Sequence, residues 1–396
     1  MSTSRVSISR VSTNRVSMSR VETFLVAPRW LFVRIETDSG VVGWGEASLE
    51  GHANAVRTVV EQFAEYLLGR DPARIEDHWQ VLTKSGFYRG GPVLASAVSG
   101  IDQALWDIKG KTLGVPVHEL LGGAVRDRIR MYGWVGGDDP RGIAEAIQGQ
   151  LDVGLTAVKM NASGAMGPLA TVAEIDAVLE RVATAREVLG AHRDVAVDFH
   201  GRFTLANARR IAPLLEPLRP FFIEEPVVPE NSHLIGRLAQ STSIPIATGE
   251  RLYSRQDFLP VLQAGIAVAQ PDVSHAGGIS EVRRIATMAE VYDVQLAPHC
   301  PLGPLALAAC LQVGFSTPNF LIQEQSIGIH YNQGAEVLDY VIDKTPLQFV
   351  NGSIELLTGP GLGIEVDEVA VRAADARGHT WRTPTWRHAD GSLAEW

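Results

Sequence analysis

The chain has 396 residues and a formal net charge of −10, from 45 acidic and 35 basic side chains. That length exceeds one small core and suits a large barrel plus a smaller domain. The acidic balance argues against nucleic acid and anionic membranes as partners, and no apolar run approaches the roughly 18 residues of a membrane span. The two cysteines, Cys300 and Cys310, make no disulfide framework. They read as small core thiols of a reducing compartment, the cytoplasm.

The first 21 residues repeat Arg-Val every five positions: Arg5-Val6-Ser7, Arg10-Val11-Ser12, Arg15-Val16-Ser17, Arg20-Val21. Five is neither the helical nor the strand period, so residues 1–21 are expected to be a disordered Arg/Ser-rich tail without a catalytic role. From Glu22 to Ser48 apolar and polar residues alternate around Asp38-Ser39-Gly40. The runs Trp30-Leu-Phe-Val-Arg-Ile-Glu36 and Val41-Val-Gly-Trp-Gly45 predict strands of an antiparallel meander. Helical periodicity then follows over about 52–69, 74–85 and 92–112, which makes residues 22–129 an α+β region.

From Arg130 short apolar strands alternate with helices. Eight strand candidates end near Val135, Lys159, Asp198, Glu224, Ala247, Gln270, Ala297 and Gln323. Eight parallel strands in about 195 residues predict a TIM-type barrel over 130–340, with a doubly wound sheet as the weaker alternative. Residues 341–396, with Gly359-Pro-Gly-Leu-Gly363 and a short strand at Ile364-Glu-Val366, are expected to return to the first region.

The strand ends carry the chemistry. Asp198, Glu224 and Glu250 each close an apolar run, and both gaps are 26 residues (198 to 224, 224 to 250), the length of one βα unit. Acids ending three successive parallel strands converge at the carboxyl face of a barrel, where hard oxygen ligands suit Mg²⁺. Each acid alone reads as a cap or ion pair; three in register do not. Alternation puts His200 on the same side as Asp198. Later strands end in Gln270-Pro-Asp272 and Ala297-Pro-His299, so Asp272 and His299 sit on neighbours. A carboxylate on one imidazole nitrogen fixes the tautomer and leaves the other nitrogen as a base. A base and an acid flanking a cation site are what β-elimination needs, with His299 removing a proton and His200 protonating a leaving hydroxyl. Glu324, if protonated, could bond the oxygen that becomes anionic.

These residues resemble the mandelate-racemase-like branch of the enolase superfamily, and within it the galactonate-dehydratase group. The resemblance runs from about Val21 to Trp396. In the first third it is carried by Trp30, Gly86-Phe-Tyr-Arg-Gly-Gly91 and Gly100-Ile-Asp-Gln-Ala-Leu-Trp-Asp-Ile-Lys-Gly110. It continues through Asp198-Phe-His-Gly-Arg202, Phe222-Ile-Glu-Glu-Pro226, Gly249-Glu-Arg251 and Gln270 to Gly278. Ala297 to Pro304, Gln323 to Asn332 and Ala394-Glu-Trp396 complete it.

The resemblance implies a (β/α)₇β barrel capped by an α+β domain built from both chain ends. It implies one Mg²⁺ per subunit on Asp198, Glu224 and Glu250, with His299 and Asp272 as base, His200 as acid and Glu324 bonding the enolate oxygen. The implied reaction is dehydration of an acid sugar, D-galactonate first, or another aldonate such as gluconate. A homo-oligomer, an octamer, is implied too. Racemases of the branch carry Lys-x-Lys at the second strand end, whereas here the residues are Lys159-Met160-Asn161. Lys159 and Asn161 are therefore expected to bind substrate, as are Trp30 and Tyr88 from cap loops that include Glu50-Gly51-His52 and Arg89. A Zn²⁺ hydrolase would want histidine ligands that the first strand end lacks, and a non-catalytic barrel would lack at least one of these groups.

Overall fold

The computed structural model describes residues 16–136, 140–329 and 332–396. Residues 1–15 of the expected tail lie outside them, but Met18–Val21 are not tail: they open strand β1 (Met18–Val26). β1 pairs antiparallel with β2 (Trp30–Thr37), and β2 with β3 (Val42–Glu46), which is the expected meander. Three helices follow: α1 (Ala53–Leu67), α2 (Ile75–Lys84) and α3 (Pro92–Leu113). Proline at the first position of α3 and left-handed Gly114 after its last turn punctuate the helix. The helix lies directly on β3 because glycines face it. A Cβ on Gly45 would stand 2.1 Å from the Gly100 carbonyl oxygen. A short helix, α4 (Val117–Leu120), leads to the barrel.

The barrel strands are β4 (Arg128–Val135), β5 (Ala157–Asn161), β6 (Asp194–Asp198), β7 (Ile223–Glu224), β8 (Ile246–Thr248), β9 (Val268–Ala269), β10 (Gln295–Leu296) and β11 (Gln323–Glu324). Between them run α5 (Pro140–Asp152), α6 (Val172–Leu189), α7 (Leu205–Leu215), α8 (Ile235–Ala239), α9 (Arg255–Gln263), α10 (Gly278–Val291) and α11 (Pro304–Ser316). Neighbours pair in parallel from β10 through β4 to β11. A parallel bridge between Leu296 and Phe320, just before β11, closes the ring. Inside it, Tyr132, Ala157, Ala196, Phe222, Ala247, Val268, Ala297 and Ile322 form one buried cluster, one residue from each strand or its flank. Local signals agree with the helices: Thr171 and Glu174 form a capping box at α6, and Thr204 and Ser254 cap α7 and α9.

The final segment does not form the strand expected at 364–366; Val366 makes only an isolated bridge to Val341. Instead β12 (Ser353–Glu355) pairs antiparallel with β4. Helix α12 (Glu368–Asp375) then packs on β1: Asp375 accepts from the Leu25 amide at 2.7 Å, and Arg372 pairs with Glu22 at 3.0 Å. A two-strand hairpin, β13 (Trp386–Arg387) and β14 (Leu393–Ala394), ends the chain. Among the described residues no helix is long and apolar enough to cross a membrane.

Candidate active site

The period of two along a strand decides what points into the barrel mouth. With Ala157, Ala196 and Phe222 in the interior cluster, Lys159, Asn161, Asp198 and Glu224 face the same way one or two pleats further on. Parallel register sets Asn161 beside Asp198 and Asp198 beside Glu224. Glu250 lies two residues beyond β8, in the following turn rather than at the strand end. Gly249 brings it there with φ +146°, and a Cβ on Gly249 would meet the Phe258 ring at 2.6 Å. Ligand oxygens of Asp198, Glu224 and Glu250 all fall within 4.8 Å of one another.

Neighbouring side chains hold this cluster. Lys159, 1 % exposed, donates to Glu224 and pairs with Glu324 at 2.8 Å. Gln270 donates to the other Glu224 oxygen at 2.6 Å. Glu225 pairs with Arg251 at 2.6 Å and accepts from the Gly249 amide at 2.9 Å, which fixes the turn carrying Glu250. Burial and the nearby Glu224 charge hold Asp198 well above the usual carboxylate range. Burial pushes Glu224 up to about 7 against the pull of Lys159. For Glu250, burial is outweighed by the positive fields of His299, His200 and Arg251, and it stands at about 2. Three hard oxygen donors crowded at this cost in a buried site fit a divalent cation of the Mg²⁺ kind.

Two histidines flank the acids. His299 Nδ1 lies 2.8 Å from Asp272, and its Nε2 faces Glu250 at 3.4 Å. Burial opposes the charged imidazole, but Glu250, Glu324 and Asp272 raise it well above the ordinary histidine value. His200 reaches the site by a turn, not by strand alternation: β6 ends at Asp198, and His200 has φ +51°, a left-handed backbone unusual for histidine. Its amide donates to Asp198 at 2.7 Å. Burial lowers its imidazole to about 4.

Glu324 differs from the expected oxyanion donor. Lys159 occupies one of its oxygens, and the Cys300 amide donates to the other at 2.8 Å, so both accept. Trp30 is not a substrate contact. It is fully buried in the core, between Phe32 at 6.2 Å and Tyr340 at 5.8 Å between ring centroids. Tyr88 stands 89 % exposed with its ring against Phe87, and no described contact joins it to the acids. Among the described residues Arg89 bonds only locally, to the Lys84 carbonyl at 3.1 Å. Asn161 Oδ1, Tyr132 Oη, Gln270 Oε1 and Gln323 Oε1 are buried without partners among the described residues. Buried polar atoms left open in this way fit a site that binds a hydroxylated ligand. Of these four, only Asn161 is expected from the sequence to bind substrate. Gln270 follows β9 and Gln323 begins β11, which is the signal that marks them, whereas Tyr132 lies inside β4.

The family "Mandelate racemase / muconate lactonizing enzyme, N-terminal domain" matches residues 5–122, and "Enolase C-terminal domain-like" matches residues 142–370. A D-galactonate dehydratase of Variovorax paradoxus is 55% identical over 375 residues, covering 94% of this chain and 98% of its own length. One of Xanthomonas euvesicatoria is 54% identical with the same coverage. A solved structure from Agrobacterium radiobacter, described as an enolase and named for galactarate dehydratase, holds sodium and L-malate. It is 33% identical with a TM-score of 0.87 and covers 96% of this chain and 100% of its own.

Proposed function

Because the chain belongs to the mandelate racemase/muconate lactonizing enzyme family of the enolase superfamily, we propose that it is a Mg²⁺-dependent hydro-lyase acting on D-galactonate. The product is 2-dehydro-3-deoxy-D-galactonate. The observation that carries this reading is the Asp272–His299 pair facing the three-carboxylate cluster. The identity to galactonate dehydratases supports the choice of substrate.

Asp198, Glu224 and Glu250 would hold the cation, whose charge, when bound, stabilises anionic oxygen at the substrate's carboxyl end and offsets the field of the acids on His299. His299 takes the C2 proton on Nε2, since Nδ1 is committed to Asp272. The electron pair of the C2–H bond first moves toward the carboxyl group, giving an enediolate, and then returns to form the C2–C3 double bond as the C3–O bond breaks. His200 serves as the acid in its imidazolium form, which its burial disfavours, and gives its proton to the departing 3-hydroxyl, which leaves as water. The remaining enol tautomerises to the 2-keto acid. Lys159, tied to Glu224 and Glu324, keeps its charge and is no second base, which supports elimination over racemisation. Asn161 offers an open oxygen to a substrate hydroxyl.

The test is the purified protein with Mg²⁺ and D-galactonate, assayed for 2-keto acid with semicarbazide beside other aldonates and an EDTA control. Turnover of galactonate that EDTA abolishes is expected. Turnover of gluconate or another aldonate instead would keep the chemistry and replace the substrate, and no turnover of any acid sugar would overturn the reading.

A further inference from the structure

The last stretch of the sequence has no part in the steps above, yet it touches one of their groups. His200 Nδ1 lies 2.7 Å from the main-chain oxygen of Trp396, and the indole stands edge-on to the imidazole at 5.5 Å and 90°. A main-chain oxygen only accepts, so the contact places the imidazole hydrogen on Nδ1 and leaves Nε2 uncommitted. Asp272 does the same for His299.

The segment is itself pinned from both sides. Trp381 packs on Trp396 at 6.2 Å, and the Arg29 guanidinium lies over Trp381 at 5.9 Å. Arg29 also bonds the Pro301 carbonyl at 2.7 Å, in the loop that follows His299. Arg202, two residues past His200, lies over Trp386 at 4.6 Å. Gly51 of the cap approaches Thr383 so closely that a Cβ there would stand 2.5 Å from its hydroxyl. Cap loop and barrel loops therefore both hold the terminal segment that reaches His200.

We propose that Trp396 is the positioning residue of His200, its main-chain oxygen fixing the tautomer and aim of the imidazole. The kinetic consequence rests on the dehydratase reading; the structural one does not. Full-length protein labelled with ¹⁵N at histidine is examined by NMR, with His200→Asn identifying the signal. The parent should show hydrogen on Nδ1, and deletion of Trp396 should shift His200 toward the Nε2–H tautomer. An Nε2–H tautomer in the parent, or no shift in the folded deletion, overturns the proposal. In turnover the deletion should lower kcat by about 100-fold with KM nearly unchanged. Exchange of the C2 proton with solvent deuterium should persist, because His299 is untouched. W396F, which keeps the main-chain oxygen, should recover most of the lost kcat. Unchanged kcat on deletion, or an equal loss of exchange and elimination, counts against positioning of His200. If the parent turns over no aldonate, the dehydratase reading fails and the tautomer alone decides this proposal.

Discussion

The two imidazoles of the site are held by different kinds of partner. On the wall formed after β9 and β10, a buried side-chain carboxylate from the neighbouring strand end orients His299. On the wall after β6, a main-chain oxygen 196 residues away orients His200, which sits on a left-handed turn. A carboxylate partner also raises the affinity of its imidazole for a proton, which suits a base.

Substitutions can break this contrast. H299N should remove both C2–H exchange and dehydration, with kcat lower by about 10⁴-fold. If exchange survived, the base would lie elsewhere. H200N should lower dehydration by about 10³-fold while exchange continues, which separates the two walls in one assay. D272N should lower kcat by about 100-fold by releasing the His299 tautomer, with both exchange and elimination affected. An effect on elimination alone would reverse the assignment of the walls.

The smallest expected effect lies outside the site. Burial raises Asp102 from 3.8 to about 7, though Ser280 donates to it from both amide and hydroxyl. Its folded value exceeds its unfolded one, so its stabilising contribution is whole below about pH 4 and is lost as pH rises through about 7. Denaturation midpoints of the parent and D102N should therefore differ in a pH-dependent way, with the variant gaining on the parent between pH 4 and 8. A constant difference would mean that Asp102 does not titrate there.

The acid cluster and His299 are readable in the sequence because period, spacing and strand-end position are local properties. Asp198 and Glu224 follow from strands of known length, and Asp272 and His299 from the next two units. Glu250 answers to the same spacing even though it sits in a turn. The hold on His200 is invisible there, since main-chain contacts carry no residue code and Trp396 is distant in the chain. Trp30 misleads because an aromatic in an alternating strand looks the same whether it faces substrate or core. Tyr88 misleads because loop residues carry no periodicity from which to read exposure. The position of Glu324 is legible, but its two donors, Lys159 and the Cys300 amide, depend on tertiary packing.

Helix α3 belongs to the cap by sequence, yet its bonds run to the barrel. Gln103 donates to the Val273 carbonyl at 3.1 Å, Trp106 to the Ser280 hydroxyl at 2.9 Å, and Ser99 accepts from the Gly277 amide at 2.8 Å. The stretch from the end of β9 into the first turn of α10 is thus stitched to the cap at three places. Neither part can melt without exposing polar groups that the other satisfies, so the two share one cooperative unit and calorimetry should record a single transition.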